Sequence, residues 1–136
     1  MAARSKARKR ALDVLFESEV RGLPLGATLD ERVLEGEPPV NEYTVRLVRG
    51  IREHQARLDQ LVTTYARGWS LERMPTVDRN ALRIGVYEVL YVDDVPDAVA
   101  VSEAVSLVRD LSTDDSPSFV NGVLGTIVRD KSALSA

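Results

Sequence analysis

Apolar side chains recur along most of the chain at steps of three and four residues, the spacing of one face of an α-helix. Ala7, Ala11, Val14 and Leu15 mark such a face, with Leu12 at its edge. They predict a first helix that begins within the first ten residues and runs to about Val20. Arg21-Gly22-Leu23-Pro24 ends it. A weaker pattern predicts a second helix over roughly Leu25–Leu34, and Gly36-Glu37-Pro38-Pro39 reads as a loop. Asn41 suits the N-cap of a third helix carrying Val45, Val48 and Ile51, with a break near Glu53–Gln55. Leu58, Leu61, Val62 and Tyr65 continue the pattern in a fourth. Gly68 and the stretch Trp69–Pro75 interrupt again.

A fifth, strongly apolar helix starts at Thr76 or Asp78, carries Leu82, Val86, Val89 and Leu90, and closes at Asp93-Asp94-Val95-Pro96. Ala98–Leu111 forms a sixth. Ser112-Thr113-Asp114-Asp115-Ser116-Pro117 turns into the last helix, with Ser116 as its cap and Pro117 in its first turn. Asn121-Gly122 would signal a hairpin between strands. Here Phe119, Val120, Val123, Leu124, Ile127 and Val128 flank it at helical spacing, which instead assigns Gly122 and Gly125 to close helix–helix approach. The final Ser- and Ala-rich residues are expected to fray. No segment alternates long enough for a strand, so the pattern predicts an all-α protein of six or seven helices.

Composition narrows the functional classes. At 136 residues the chain is one domain, or two small subdomains sharing a core. With no cysteine there is no disulfide framework or thiolate metal site. The single histidine, His54, has no catalytic companion pattern, and no GxSxG, Walker or GxGxxG motif is present. Asp114, Asp115 and Ser116 offer too few oxygens for a hard cation, so helix capping is the better reading. Neither an enzyme nor a cofactor is expected. No apolar run approaches the roughly 20 residues of a membrane span, and no apolar h-region follows the N-terminal charges. A cytoplasmic location is therefore expected.

Charge is the sharpest signal. Arg4, Lys6, Arg8, Lys9 and Arg10 fall within the first ten residues, and the first acid is Asp13. Of 18 Lys and Arg side chains, 13 remain to face 21 acids, so a +5 head precedes a −8 body. Such a head suggests a local polyanion contact on a body with no general affinity for one. Lys6, Lys9 and Arg10 share the face away from the apolar stripe, while Arg8 lies nearer to it. Phe16 falls beside Lys9, off the stripe, and an aromatic among cations is the composition of an RNA-stacking surface. The bland alternatives are a solvated tail and core packing for Phe16. Trp69, Tyr87 and Tyr91 read by default as core or subdomain-interface aromatics. Glu72, Asp78, Arg79, Arg83 and Glu88 form a mixed-charge series that reads either as a solvated helix face or as the rim of a protein-partner surface.

Four segments carry a resemblance. Lys6-Ala7-Arg8-Lys9-Arg10-Ala11-Leu12-Asp13-Val14-Leu15-Phe16 resembles the arginine-rich opening of the NusB family. Val77-Asp78-Arg79-Asn80-Ala81-Leu82-Arg83-Ile84-Gly85-Val86-Tyr87-Glu88 is similar to its central helix. Asp94-Val95-Pro96 with Val99-Ala100-Val101-Ser102-Glu103-Ala104-Val105 is similar to the next helix. Ser112-Thr113-Asp114-Asp115-Ser116 with Phe119-Val120-Asn121-Gly122-Val123-Leu124 resembles its closing signature, and the match spans nearly the whole chain. Phe16 stands where many relatives have tyrosine, and Ser102 where asparagine is common.

The resemblance implies an all-helical fold of two small bundles and a bacterial transcription antitermination factor. It implies binding of boxA RNA together with NusE, a small-subunit ribosomal protein. That pair would join an antitermination complex on RNA polymerase that supports ribosomal RNA synthesis. Carried onto this chain, the implied RNA contacts are Arg4, Lys6, Arg8, Lys9, Arg10 and Phe16. Asp115, Ser116 and Phe119 would face the same RNA across a groove, and the implied NusE surface draws on Glu72, Asp78, Arg83 and Glu88. The expected organisation is one RNA-binding domain over residues 1–136 with a basic head at 1–12. Two rivals remain at this point: the RNA-recognition domain of a ribosomal RNA methyltransferase, and a homodimeric helical protein with no RNA role.

Overall fold

A computed structural model describes residues 3–36 and 39–134. Residues 37 and 38 of the expected Gly36–Pro39 loop, and the last two residues, lie outside the described set. Among the described residues there is no strand. The chain divides into two compact units, Met1–His54 and Gln55–Ala136. The boundary falls at the expected break between the third and fourth helices.

The first unit holds α1 (Ala3–Val20), α2 (Ala27–Glu35) and α3 (Glu42–Glu53). The apolar stripe of α1 buries Ala7, Ala11, Leu12, Val14 and Leu15, and α3 buries Leu47, Val48 and Ile51. Each fully buried Leu or Ile contributes about 1.5–3 kcal/mol relative to exposure. The buried hydroxyls of the unit are paired. Thr44 Oγ1 donates to the Ala7 carbonyl at 2.9 Å, fixing α3 on α1. Ser18 and Thr28, both fully buried, sit with their hydroxyls 3.1 Å apart, and each hydroxyl reaches the Val14 carbonyl. Gly26 precedes α2 with φ +81°, and a Cβ there would lie 2.7 Å from Val48 Cγ1, so two independent constraints demand glycine. Asn41 caps α3 as expected, its Oδ1 accepting the Tyr43 amide at 2.7 Å.

The second unit holds α4 (Gln55–Tyr65), a 3₁₀ turn (Leu71–Arg73), α5 (Thr76–Tyr91), α6 (Asp97–Leu111), α7 (Ser116–Arg129) and a short α8 (Lys131–Leu134). Eleven of the 16 residues of α5 are buried, on every face, which makes it the central helix against α4, α6 and α7. The close approach occurs at Gly85 rather than at Gly122 or Gly125. A Cβ on Gly85 would meet Leu124 Cδ1 at 2.7 Å and Ala104 Cβ at 3.4 Å, whereas one on Gly122 or Gly125 meets nothing within 4 Å. The expected fraying is also corrected as far as Leu134. Residues 131–134 form a helical turn, held by the Lys131 ammonium on Asp97 at 2.9 Å and by the Arg57 guanidinium on the Leu134 carbonyl.

Candidate functional site

In the first unit the burial of α1's stripe decides where its cations point. Lys6 and Lys9 are exposed and Arg10 is half-buried. Arg8 turns inward and is only 3% exposed. Its guanidinium lies over the Tyr43 ring at 5.7 Å from the centroid, and that of Arg4 at 4.4 Å. Cation–π attraction thus packs Arg8 and Arg4 onto α3. Phe16 is 41% exposed, off the stripe as expected. It shares a groove of about 420 Å³ with Arg10, Asp13, Glu17, Val20 and Arg32. The Nε atoms of Arg10 and Arg32 are buried with no hydrogen-bond partner. A buried donor left unmade costs about 1–3 kcal/mol, and Arg32 is further tied to Glu17 of the same groove by an ion pair.

Reasoning from sequence missed Arg32, and also Arg46, Arg49 and Arg52. These last three lie exposed on α3 with no side-chain partner among the described residues. Arg46 lines a second hollow of about 510 Å³ with Arg4 and Tyr43. The signal was present: three arginines at three-residue spacing in an acidic body.

In the second unit, a cleft of about 410 Å³ brings together Asp78, Asp115, Ser116 and Phe119 from the expected site with Trp69 and Arg73. Its architecture follows from one buried carboxylate. Asp78 accepts from Ser112 Oγ at 2.6 Å and from Ser116 Oγ at 2.8 Å. The Ser116 hydroxyl also accepts the Thr113 amide at 3.3 Å. Asp78 on α5 therefore locks the α6–α7 turn, and with it the exposed Asp115 and, one helical turn on, Phe119.

This geometry corrects several expectations. Ser116 is the first residue of α7 rather than its cap. Asp115 occupies the cap position without a side-chain capping bond, so the capping reading fails for both. The Ser116 hydroxyl is buried in the network and is not presented to a ligand. Asp78, Arg83 and Glu88 are buried, which fits neither a solvated face nor a partner rim, and of the implied NusE residues only Glu72 is exposed. Arg83 instead makes a bidentate pair with Asp59 of α4, Nε to Oδ1 at 2.7 Å and Nη2 to Oδ2 at 3.1 Å. Trp69 is half exposed rather than core. Tyr87 is buried and stacks on Tyr91, with centroids 5.4 Å apart. His54 caps the C-terminus of α3 through its backbone amide, within the break expected near Glu53–Gln55. Among the described residues no cluster of three or more His, Cys, Asp or Glu could hold a metal ion. No helix there is long and apolar enough to cross a membrane.

Residues 5–129 match the NusB family. The transcription antitermination protein NusB of a Nocardioides species is 67% identical over 135 residues, covering 99% of this chain and 100% of that protein. Its counterpart in Thermobifida fusca is 53% identical over 133 residues, 98% of this chain and 94% of that one. Among solved structures, T. maritima NusB superposes with a TM-score of 0.82 at 32% identity, covering 95% of this chain and 92% of that one. A chain from a complex of antitermination factors NusB and NusE with double-stranded RNA gives 0.79 at 30% identity, covering 93% of this chain and 96% of that one. Fold and sequence agree from the basic opening to the last long helix, and the chain belongs to the NusB family.

Proposed function

We propose that this chain is a transcription antitermination factor that binds boxA RNA together with NusE and supports processive transcription of ribosomal RNA operons. It acts as a cytoplasmic binding protein with no catalytic step of its own. The observation that carries the RNA contact is the groove on α1 and α2. There an exposed phenylalanine, Phe16, lies beside Arg10, and Lys6 and Lys9 of the same helix face outward. Phosphate oxygens would pair with the Lys6, Lys9 and Arg10 cations, and the Phe16 ring offers a stacking face to an unpaired base. The solved NusB–NusE complex carries double-stranded RNA, which supports RNA and NusE as the ligands. Single-strandedness of the target is part of this proposal.

The two units divide the work. Lys6, Lys9, Arg10 and Phe16 of the first contact RNA directly, while Arg4 and Arg8 hold the cationic surface on Tyr43. In the second, Asp115 and Phe119 contact RNA and Ser116 positions them. Glu72 contacts NusE, while Asp78, Arg83 and Glu88 act from inside by fixing α5. An acidic body limits nonspecific RNA binding, so a bound helper that also touches RNA raises affinity through effective concentration.

The test is a titration of single-stranded boxA RNA against the Lys6→Ala/Lys9→Ala/Arg10→Ala variant across a salt series. Arg8 is left in place because it is buried on Tyr43. Each lost phosphate contact on a single strand should flatten the slope of log affinity against log salt by about 0.7. A loss of affinity with a slope flatter by about 2 is expected. Unchanged affinity and slope would remove the head from the RNA surface. Excess duplex competitor should displace less RNA than excess single strand.

A further inference from the structure

The cleft of the second unit is built around an aromatic to which the reading above assigns no role. Trp69 is the only tryptophan, and half of its surface is open to solvent. It is held in place rather than dangling. Gly68, at φ +80°, takes the left-handed conformation in the turn after α4, and the Trp69 amide turns back to the Ala66 carbonyl at 2.9 Å. Downstream the Arg73 and Met74 amides close the 3₁₀ turn on Ser70 and Leu71. Arg79 of α5 clamps the segment from below, its Nη1 donating to the Leu71 carbonyl at 3.0 Å and the Met74 carbonyl at 3.3 Å. The indole meets the Phe119 ring at 61°, with centroids 6.1 Å apart. Such an edge contact covers one ring's face and leaves stacking surface on the pair.

The charges around this pair are sorted. The carboxylates of Asp78 and Asp115 line the cleft and disfavour a phosphate inside it. Arg67 and Arg73 flank Trp69 in the chain. Both are exposed, and neither guanidinium has a partner among the described residues. The indole N–H likewise has none. An exposed, braced aromatic between unpaired arginines suits a nucleic-acid strand whose base enters while its backbone stays at the rim. An apolar protein side chain would leave both arginines unused.

We propose that Trp69, together with Phe119, is a base-stacking platform that takes one unpaired nucleobase of the RNA, with Arg67 and Arg73 holding the flanking phosphates. This rests on the RNA-binding reading above and adds to it a stacking residue and the kind of group that fills the cleft.

Because Trp69 is the sole tryptophan, its fluorescence in the full-length chain reports on this site alone. A single-stranded boxA oligonucleotide, titrated at low salt, is expected to quench it. Trp69→Ala should weaken RNA binding by about 5- to 150-fold, the range of one base–aromatic stack. Trp69→Phe should restore most of the affinity, and NusE affinity in the absence of RNA should be unchanged in both variants. RNA binding that depends on Lys6, Lys9 and Arg10 but leaves the fluorescence and the Trp69→Ala affinity unmoved would overturn the platform and spare the RNA reading. Loss of NusE binding in Trp69→Ala, with RNA affinity intact, would overturn it in favour of a protein dock. No RNA binding by the parent chain under any condition would overturn both.

Discussion

Removing Asp59 should destabilise the protein by about 3 kcal/mol, because it takes the bidentate carboxylate from a buried guanidinium. The Arg83 side chain is 6% exposed, and Asp59 is its bidentate partner at 2.7 and 3.1 Å. Arg83 Nη1 also donates to Asn80 Oδ1 at 2.8 Å, and Asn80 Nδ2 to the Thr76 carbonyl at 3.0 Å. Breaking a buried ion pair by deleting one member costs about 3–5 kcal/mol, since the survivor keeps its desolvation without compensation. Asp59 is 21% exposed, so water can reach the space it vacates, which places Asp59→Ala at the lower end of that range. Replacing both members removes the buried charge together with its carboxylate. Asp59→Ala/Arg83→Met, with an aliphatic side chain of comparable length, should lie within about 1 kcal/mol of the parent. The assay is urea unfolding followed by far-UV circular dichroism, with the m-value held as a check on the end states. A loss below about 1 kcal/mol for Asp59→Ala would refute the reasoning. So would a double variant no more stable than Asp59→Ala. Either result would show that the Asp59–Arg83 pair is not what holds α4 to α5.

The glycines make a paired test: Gly85→Ala should cost about 1–2 kcal/mol, because overpacking against Leu124 outweighs the helix-propensity gain, whereas Gly122→Ala should stabilise by up to about 1 kcal/mol. Thermal melts of the two variants give the signs directly. The Tyr65 phenol donates to Asp130 at 2.6 Å, and that bond holds its pKa above the ordinary value near 10. Its stabilisation is therefore complete below that value and is lost as pH rises through the folded-state pKa. Tyr65→Phe should be less stable than the parent at pH 7, with the difference closing in strongly alkaline solution. Glu72→Lys should weaken NusE binding with unfolding unchanged, read by calorimetric titration.

The helices were legible because a helix lying on one neighbour must repeat its apolar face every three to four residues, as α1, α3 and α7 do. Burial was not legible where that premise fails. Helix α5 is enclosed on all sides, and its charged residues are spaced as they would be on a solvated face. The partner that neutralises Arg83 lies 24 residues upstream on another helix. Nothing local marks Asp78 as an internal acceptor, because its donors arrive from the far end of α6 and the start of α7. The close-packing glycine was misplaced for the same reason: Gly122 and Gly125 advertise small side chains, but only tertiary contact shows that Gly85 needs one. In the candidate site, the outward positions of Phe16, Lys6 and Lys9 follow from the stripe alone. The orphaned Nε donors of Arg10 and Arg32 and the exposure of Trp69 depend on how neighbouring segments fold over them.

The most direct test of RNA capture by a cationic groove with a protein helper is the affinity for single-stranded boxA RNA, measured with and without NusE at 50 and 200 mM salt. The expected result is weak binding by the chain alone and markedly tighter binding with NusE. The three phosphate contacts of Lys6, Lys9 and Arg10 alone should make the higher salt weaken the chain's own RNA binding by at least about 20-fold. Affinity indifferent to both NusE and salt would contradict it.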